Sequence, residues 1–238
     1  DSNDDLKRYE FDLKLINEKR PHILDANTEK LLTEAQDALS TPSNVYGMFS
    51  NADLEFEDAI DKDGQAYPLT QGTFIKYLES DDRELRASAF RNVYKAYGAH
   101  NNTLGATLAG EVKKNVFNAR THHYRSARER ALSNNHIPEA VYDNLIKTVH
   151  KYLPLLHRYT KLRQELLGLD DLKMYDLYTP LVKDVKFEMP YEEAKSWMLK
   201  ALEPMGEEYL NVVKEGLDNR WVDVYENKGK RSGGYSSG

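Results

Sequence analysis

Apolar residues recur along this chain mainly at three- and four-residue steps, the spacing that lines one face of an α-helix. Leu6, Tyr9, Leu13 and Ile16 predict a first amphipathic helix that stops near Pro21. A second is expected over about 26–39, because Asp25 can accept the free amides of its first turn and Glu29 favours the positive end of its dipole. Strict alternation takes over at Leu54-Glu-Phe56-Glu, and Asp61-Lys-Asp63-Gly64 supplies a turn with a residue tolerant of positive φ, so a β-hairpin is expected near 53–70. Residues 71–79 predict a short helix. Ser80-Asp81-Asp82-Arg83-Glu84 opens the next, with Asp81 and Glu84 at capping-box spacing and Leu85, Ala89, Val93 and Tyr97 on the buried face.

Leu104, Leu108, Val112 and Val116 mark a further long helix. Gly105 and Gly110 each weaken it by about 1 kcal/mol relative to alanine, and close helix packing is the simplest reason to keep both. The strongest period runs through Val141, Leu145, Val149, Leu153, Leu156, Tyr159, Leu162 and Leu166; Pro154 should kink or split that helix, and Gly168 should end it. An irregular aromatic stretch, Tyr175 to Pro180, precedes helices expected at 191–202 and 204–216. Trp221-Val-Asp-Val-Tyr225 reads as a strand and Asn227-Lys-Gly229 as a turn, so a second hairpin is expected over 221–238. The expected fold is therefore mainly α, a multi-helix assembly with small β-hairpins near 53–70 and 221–238. It divides into a helical region with a hairpin (1–100), a second helical region (101–220) and the tail hairpin (221–238).

Composition narrows the function classes. With 238 residues and 40% hydrophobic content the chain can bury a sizeable core. Its longest uncharged apolar stretches fall far short of the roughly 18–20 residues a membrane span needs. A formal charge of −6 argues against a general nucleic-acid binder, and the one dense basic run, Lys228-Gly-Lys230-Arg231, is short. No cysteine is present, which excludes disulfides and thiolate chemistry and suits a reducing cytoplasm. The chain begins with Asp1 instead of methionine, so it is expected to be a piece of something longer.

Candidate chemistry is sparse. The seven histidines are His22, His100, His122, His123, His136, His150 and His157, and no H-E-x-x-H pairs any two of them on a helix. His150 and His157 stand two turns apart, roughly 10 Å along the axis, too far to share one ion. No metal site is expected from this chain alone. His122 and His123 fall at a plausible helix break and read as surface or capping residues. No G-x-S-x-G elbow or phosphate-cradling glycine loop occurs; Gly229 to Gly234 has the glycines without the spacing. Arg83 and Arg86, close to Asp81, Asp82 and Glu84, read as ion pairs on a solvated helix face.

Several phrases, in order, resemble the oligoendopeptidase F branch of the thimet-oligopeptidase family. They are Arg20-Pro-His22 with Glu29-Lys-Leu-Leu32, Asn51-Ala-Asp-Leu-Glu-Phe56, Asp82-Arg-Glu-Leu-Arg86, Asn102-Thr103-Leu, Ala131-Leu with Ile137-Pro, Tyr175-Asp-Leu-Tyr178, and Arg220 through Tyr235, the most specific. The resemblance implies a helical ellipsoid with a deep channel between two halves, part of a two-lobed zincin-type body. It further implies a zinc-dependent endopeptidase for short oligopeptides, with a zinc-activated water and the glutamate of H-E-x-x-H as general base. In the family that motif follows the Gly-Lys-Arg-Ser-Gly strand by some tens of residues, beyond Gly238. The implied zinc thus belongs to the full-length parent, this segment supplies no catalytic residue and no metal ligand, and alone it should be inactive. Gly233, Gly234 and Tyr235 are the substrate-binding candidates, on a cleft-bordering strand where an extended peptide can pair with a sheet edge. Expected partners are oligopeptide substrate, the remainder of its own chain and, through uncovered apolar faces, a second copy. The competing reading is a non-catalytic helical scaffold or interaction domain.

Overall fold

The computed structural model describes residues 4–182, 189–226, 230, 233 and 234, with side chains from Lys7 onward. A 3-10 turn, Asp4–Tyr9, runs into helix α1 (Glu10–Lys19), and the chain leaves the α-helix in a second 3-10 turn, Arg20–His22, that contains Pro21. Helix α2 (Ala26–Leu39) begins as expected, the Asp25 carboxylate accepting the Asn27 and Thr28 amides at 3.1 Å. Glu29 reaches back to the Leu24 amide at 3.0 Å, which fixes the entry of the chain into α2. Helix α3 (Thr41–Met48), which the periodicity does not reveal, has Pro42 in its first turn and passes into a π turn, Phe49–Asp53.

The first hairpin forms, but later and shorter than expected. Strand β1 (Ala59–Ile60) pairs antiparallel with β2 (Ala66–Tyr67), Ala59 opposite Tyr67 and Ile60 opposite Ala66. Leu54-Glu-Phe56-Glu keeps its alternation, Leu54 and Phe56 half-buried and the glutamates exposed, yet among the described residues no strand pairs with it and it forms none itself. Asp61 organises the turn: its carboxylate accepts the Asp63 and Gln65 amides at 2.9 Å, and Gly64 takes φ +83°.

Helix α4 (Gln71–Leu78) is capped by Thr70, and α5 (Arg83–Gly98) by Asp82. Asp82, not Asp81, takes that role because its two oxygens serve two elements. One accepts the Glu84 and Leu85 amides at 2.9 and 3.1 Å, and the other accepts the Lys62 amide of the hairpin turn at 3.1 Å. Hairpin, α4 and α5 enclose the core, built from Ala59, Leu69, Tyr77, Leu85, Ala89 and Val93, with Phe56, Phe74 and Tyr97 packed at its margin.

Helices α6 (Asn101–Thr121), α7 (Ala127–Ser133) and α8 (Glu139–Leu167) follow, then α9 (Tyr191–Ala201) and α10 (Glu207–Asp218). The two α6 glycines differ. A Cβ on Gly110 would stand 2.8 Å from the Pro42 ring of α3, so that glycine permits close packing, whereas a Cβ on Gly105 would meet nothing within 4 Å. The packing reason holds for Gly110 only. Pro154 lies inside one continuous α8 and does not split it, and Gly168 ends it at φ +66°. The apolar stripe of α8 is present but uncovered: Val141, Leu145, Val149, Leu156, Tyr159, Leu162 and Leu166 are 48–60% exposed.

The tail departs from expectation. Among residues 221–226, 230, 233 and 234 there is no strand, so the second hairpin does not appear in the described residues. Arg220 adopts φ +63° and turns the chain back, the Trp221 amide donating to the Gly216 carbonyl at 3.1 Å. The Trp221 ring then lies on Gly216, where an added Cβ would stand 2.7 Å away. The Lys230 ammonium donates to the Asp223 and Tyr225 carbonyls, which ties Lys230 to the 223–225 stretch. The rest of the expected hairpin, 227–229, 231, 232 and 235–238, lies outside the described residues. Among the described residues the chain is mainly α-helical with one two-stranded sheet, and no helix is long and apolar enough to cross a membrane.

Candidate functional site

Of the sequence-predicted substrate residues, Gly233 and Gly234 are described and Tyr235 lies outside the described residues. Gly233 has φ +116°, a conformation other residues adopt only under strain, and a Cβ on Gly234 would meet nothing within 4 Å. Among the described residues, a Cβ on Gly233 likewise meets nothing within 4 Å. Glu226, just upstream, sets its carboxylate against Gly72 in the first turn of α4, and a Cβ on Gly72 would stand 2.8 Å from it. Helix N-termini favour such a carboxylate, so the tail is tied to the α4 end of the core.

The most elaborate polar cluster lies elsewhere, and the sequence reading misses it. Arg83 and Arg86, one helical turn apart at the start of α5, both point to Asp176, about ninety residues away in the 3-10 turn Met174–Asp176. Arg83 binds it through Nε (3.3 Å) and Nη2 (3.0 Å), Arg86 through Nη2 (2.8 Å), and the Lys173 amide adds a fourth donor at 2.9 Å. Asp176 is fully buried and Arg86 is 3% exposed. Burial pushes the Asp176 carboxyl up, but the bonds from Arg83, Arg86 and the Lys173 amide outweigh it and hold the group below the ordinary carboxylate range. Arg86 also donates to the Ser80 and Asp81 carbonyls. Arg163 of α8 joins from the other side, donating to the Asp176 and Thr179 carbonyls. This cluster binds α5, the 171–179 segment and α8 into one joint. The expected ion pairs of Arg83 and Arg86 with Asp81, Asp82 and Glu84 do not form among the described residues, because Asp82 is occupied as a cap and Asp176 offers a buried, bidentate partner. A signal was available: Arg163 sits four residues after Tyr159, a cation on an otherwise apolar stripe.

The histidines are spread apart. His100, His123, His136, His150 and His157 are exposed. His22 stacks on Tyr124 at 3.6 Å, and its Nδ1 lies 2.8 Å from the His122 carbonyl. His122 caps α6, bonding the Asn118 carbonyl, and its Nε2 stands 3.8 Å from Glu29. His136 meets Glu18 at 2.9 Å. These contacts join the α1–α2 corner to the ends of α6 and α7. Among the described residues no group of three histidines and carboxylates could hold a metal ion, so the residues present do not fit a zinc centre.

Comparison supplies the class: residues 76–238 match the model of peptidase family M3 and residues 1–56 that of oligopeptidase F, so the chain belongs to peptidase family M3. It is 55% identical to oligopeptidase PepF of Bacillus subtilis, over 99% of this chain and 35% of that protein. It is 45% identical to the group B oligopeptidase PepB of Streptococcus agalactiae, over 98% of this chain and 39% of that one. The crystal structure of oligoendopeptidase-F from Enterococcus faecium superposes with a TM-score of 0.71 at 41% identity, covering 91% of this chain and 40% of the other. The chain thus spans little more than a third of the length of the curated relatives it matches.

Three of the seven phrases that carry the family resemblance meet at joints of the fold. Arg83 and Arg86 bind Asp176 of Tyr175-Asp-Leu-Tyr178, and His22 and Glu29 meet Tyr124 and His122.

Proposed function

We propose that this chain is a structural wall of a cytoplasmic zinc metallopeptidase that hydrolyses short oligopeptides, and that the zinc ligands lie in residues outside it. The observation that carries the reading is 55% identity to an oligopeptidase across 99% of this chain while only 35% of that relative is spanned. The dispersed histidines and the lack of a three-ligand group among the described residues favour a metal site elsewhere. Within this chain, Gly233, Gly234 and Tyr235 form the substrate-facing segment. The open space beside Gly234 and the left-handed Gly233 suit close approach of an extended peptide backbone. By itself the segment is inactive.

The test uses the full-length protein and a fluorogenic oligopeptide. The wild type cleaves it, and Gly234→Val raises KM several-fold with kcat nearly unchanged, the signature of lost uniform binding. Unchanged kinetics in Gly234→Val would remove the substrate role of this segment. Stoichiometric zinc on the isolated residues 1–238 would overturn the placement of the metal site outside them, and a gene without H-E-x-x-H within about one hundred residues of Gly238 would favour a non-catalytic scaffold.

A further inference from the structure

The chain from Trp221 to Lys230 is pinned to the helical body in steps. The Trp221 ring lies on Gly216 of α10, and the Tyr225 ring meets Tyr191 of α9 edge-on, centroids 6.5 Å apart. Glu226 then sets its carboxylate on Gly72 of α4. The Lys230 ammonium returns to the Asp223 carboxylate at 3.2 Å and to the Asp223 and Tyr225 carbonyls. Of these contacts, the one from Glu226 reaches the part of the molecule that holds the core. Helix α4 supplies Tyr77 and Phe74 to that core, whereas among the described residues α9 and α10 supply none. Gly233 stands three residues beyond Lys230, at most about 11 Å of chain, so the position of the 223–226 stretch bounds where the two glycines can lie.

Gly72 is what lets Glu226 seat there. Its backbone is helical, with no positive φ to account for a glycine, and glycine weakens a helix relative to alanine. A Cβ at position 72 would stand 2.8 Å from Oε1 and 2.9 Å from both Cδ and Oε2 of Glu226. Because all three carboxylate atoms are almost equally close, that Cβ faces the flat of the group, and spinning the carboxylate about its own axis leaves Cδ where it is. A methyl there must push the whole group away. Glu226 is exposed, so the push costs the fold little and simply removes the contact.

We infer that Glu226 and Gly72 are positioning residues for the substrate-facing segment. The carboxylate seated on the bare Cα of Gly72 fixes the 223–226 stretch against α4, and Lys230 follows through its bonds to that stretch. Gly233 and Gly234 are thereby held where an extended peptide is received. The inference rests on the reading of Gly233, Gly234 and Tyr235 as substrate-facing, and adds the fit of one carboxylate to one glycine on which the placement of that segment depends.

The test is a double-mutant cycle in the full-length protein with the fluorogenic oligopeptide, with thermal melts run alongside. Gly72→Ala should raise KM several-fold with kcat nearly unchanged and the melting temperature not lowered, because alanine suits a helix better than glycine. Glu226→Asp, whose carboxylate stops one methylene short of Gly72, should raise KM by a similar factor. In the double variant the shorter acid leaves room for the methyl, and KM should return to within about twofold of wild type. A contact serving stability alone would show no such rescue. Effects that multiply in the double variant, wild-type KM in both single variants, or a lowered melting temperature with unchanged KM would each overturn the inference. Gly234→Val separates the two levels. If it raises KM while Gly72→Ala and Glu226→Asp do not, only this inference fails; if it leaves KM unchanged, the substrate-facing reading falls and this inference with it.

Discussion

Asp176 answers to two arginines and a backbone amide at once, so replacing it strands charge in the interior. Asp176→Asn keeps the shape but removes the negative charge, leaving Arg86 buried without an ionised partner. It should lower the unfolding free energy of the full-length protein by about 3–5 kcal/mol, measured by urea denaturation. The same group sets a pH dependence. Its folded pKa is depressed, so its contribution is complete above the unfolded value and is lost as pH falls through the folded one. Stability attributable to it should therefore decline only on the acid side of the ordinary carboxylate range, and Asp176→Asn should flatten that limb. None of this was legible at residue scale. Arg83 and Arg86 have acidic neighbours in sequence, and local pairing is the economical reading when a partner ninety residues away is invisible. The histidine spacing is legible from the sequence alone: no two stand four residues apart, and His150 and His157, on one face of α8, are two turns apart.

Element ends divide into those that the sequence announces and those that it hides. Asp25 and Gly168 stand where the chemistry of caps places them. Helices α6, α7 and α10 end in the same left-handed turn as α8, but with His123 (φ +59°), His136 (φ +53°) and Arg220 (φ +63°) in place of glycine. In each case an amide is returned five residues back, Tyr124 to Ala119, Ile137 to Leu132 and Trp221 to Gly216. That hidden turn at Arg220 is why the alternating Trp221–Tyr225 stretch does not run on as a strand: the chain folds back before a partner can align. The glycines of α6 give a paired prediction. Gly105→Ala, with open space around it, should stabilise by about 0.5–1 kcal/mol. Gly110→Ala drives a methyl into Pro42 and should destabilise by about 1–3 kcal/mol, both read from thermal melts of the full-length protein.

At the scale of the whole molecule, the helical class and the order of most helices were readable because 3.6-residue periodicity survives without knowledge of the neighbours. What covers each face was not, since periodicity marks an apolar stripe whether or not anything lies on it. The stripe of α8 is the clearest case, and Leu108 (66%) and Val112 (53%) of α6 are similarly exposed. Isolated residues 1–238 should therefore self-associate in sedimentation or light scattering through such faces, and a monodisperse monomer at high concentration would contradict this. Helix α8 itself is about 43 Å long at 1.5 Å per residue and is clamped near both ends. At one end Arg163 enters the sealed Asp176 joint. At the other, Arg125 and Arg128 grip Glu139 and Asp143 in the open. Mechanically it is a beam with one welded and one bolted support. Salt loosens the outer clamp by screening and acts far less on the buried bonds of the inner one, so the beam is set to pivot about Arg163, where a swing of about 10° would carry the far end roughly 6 Å.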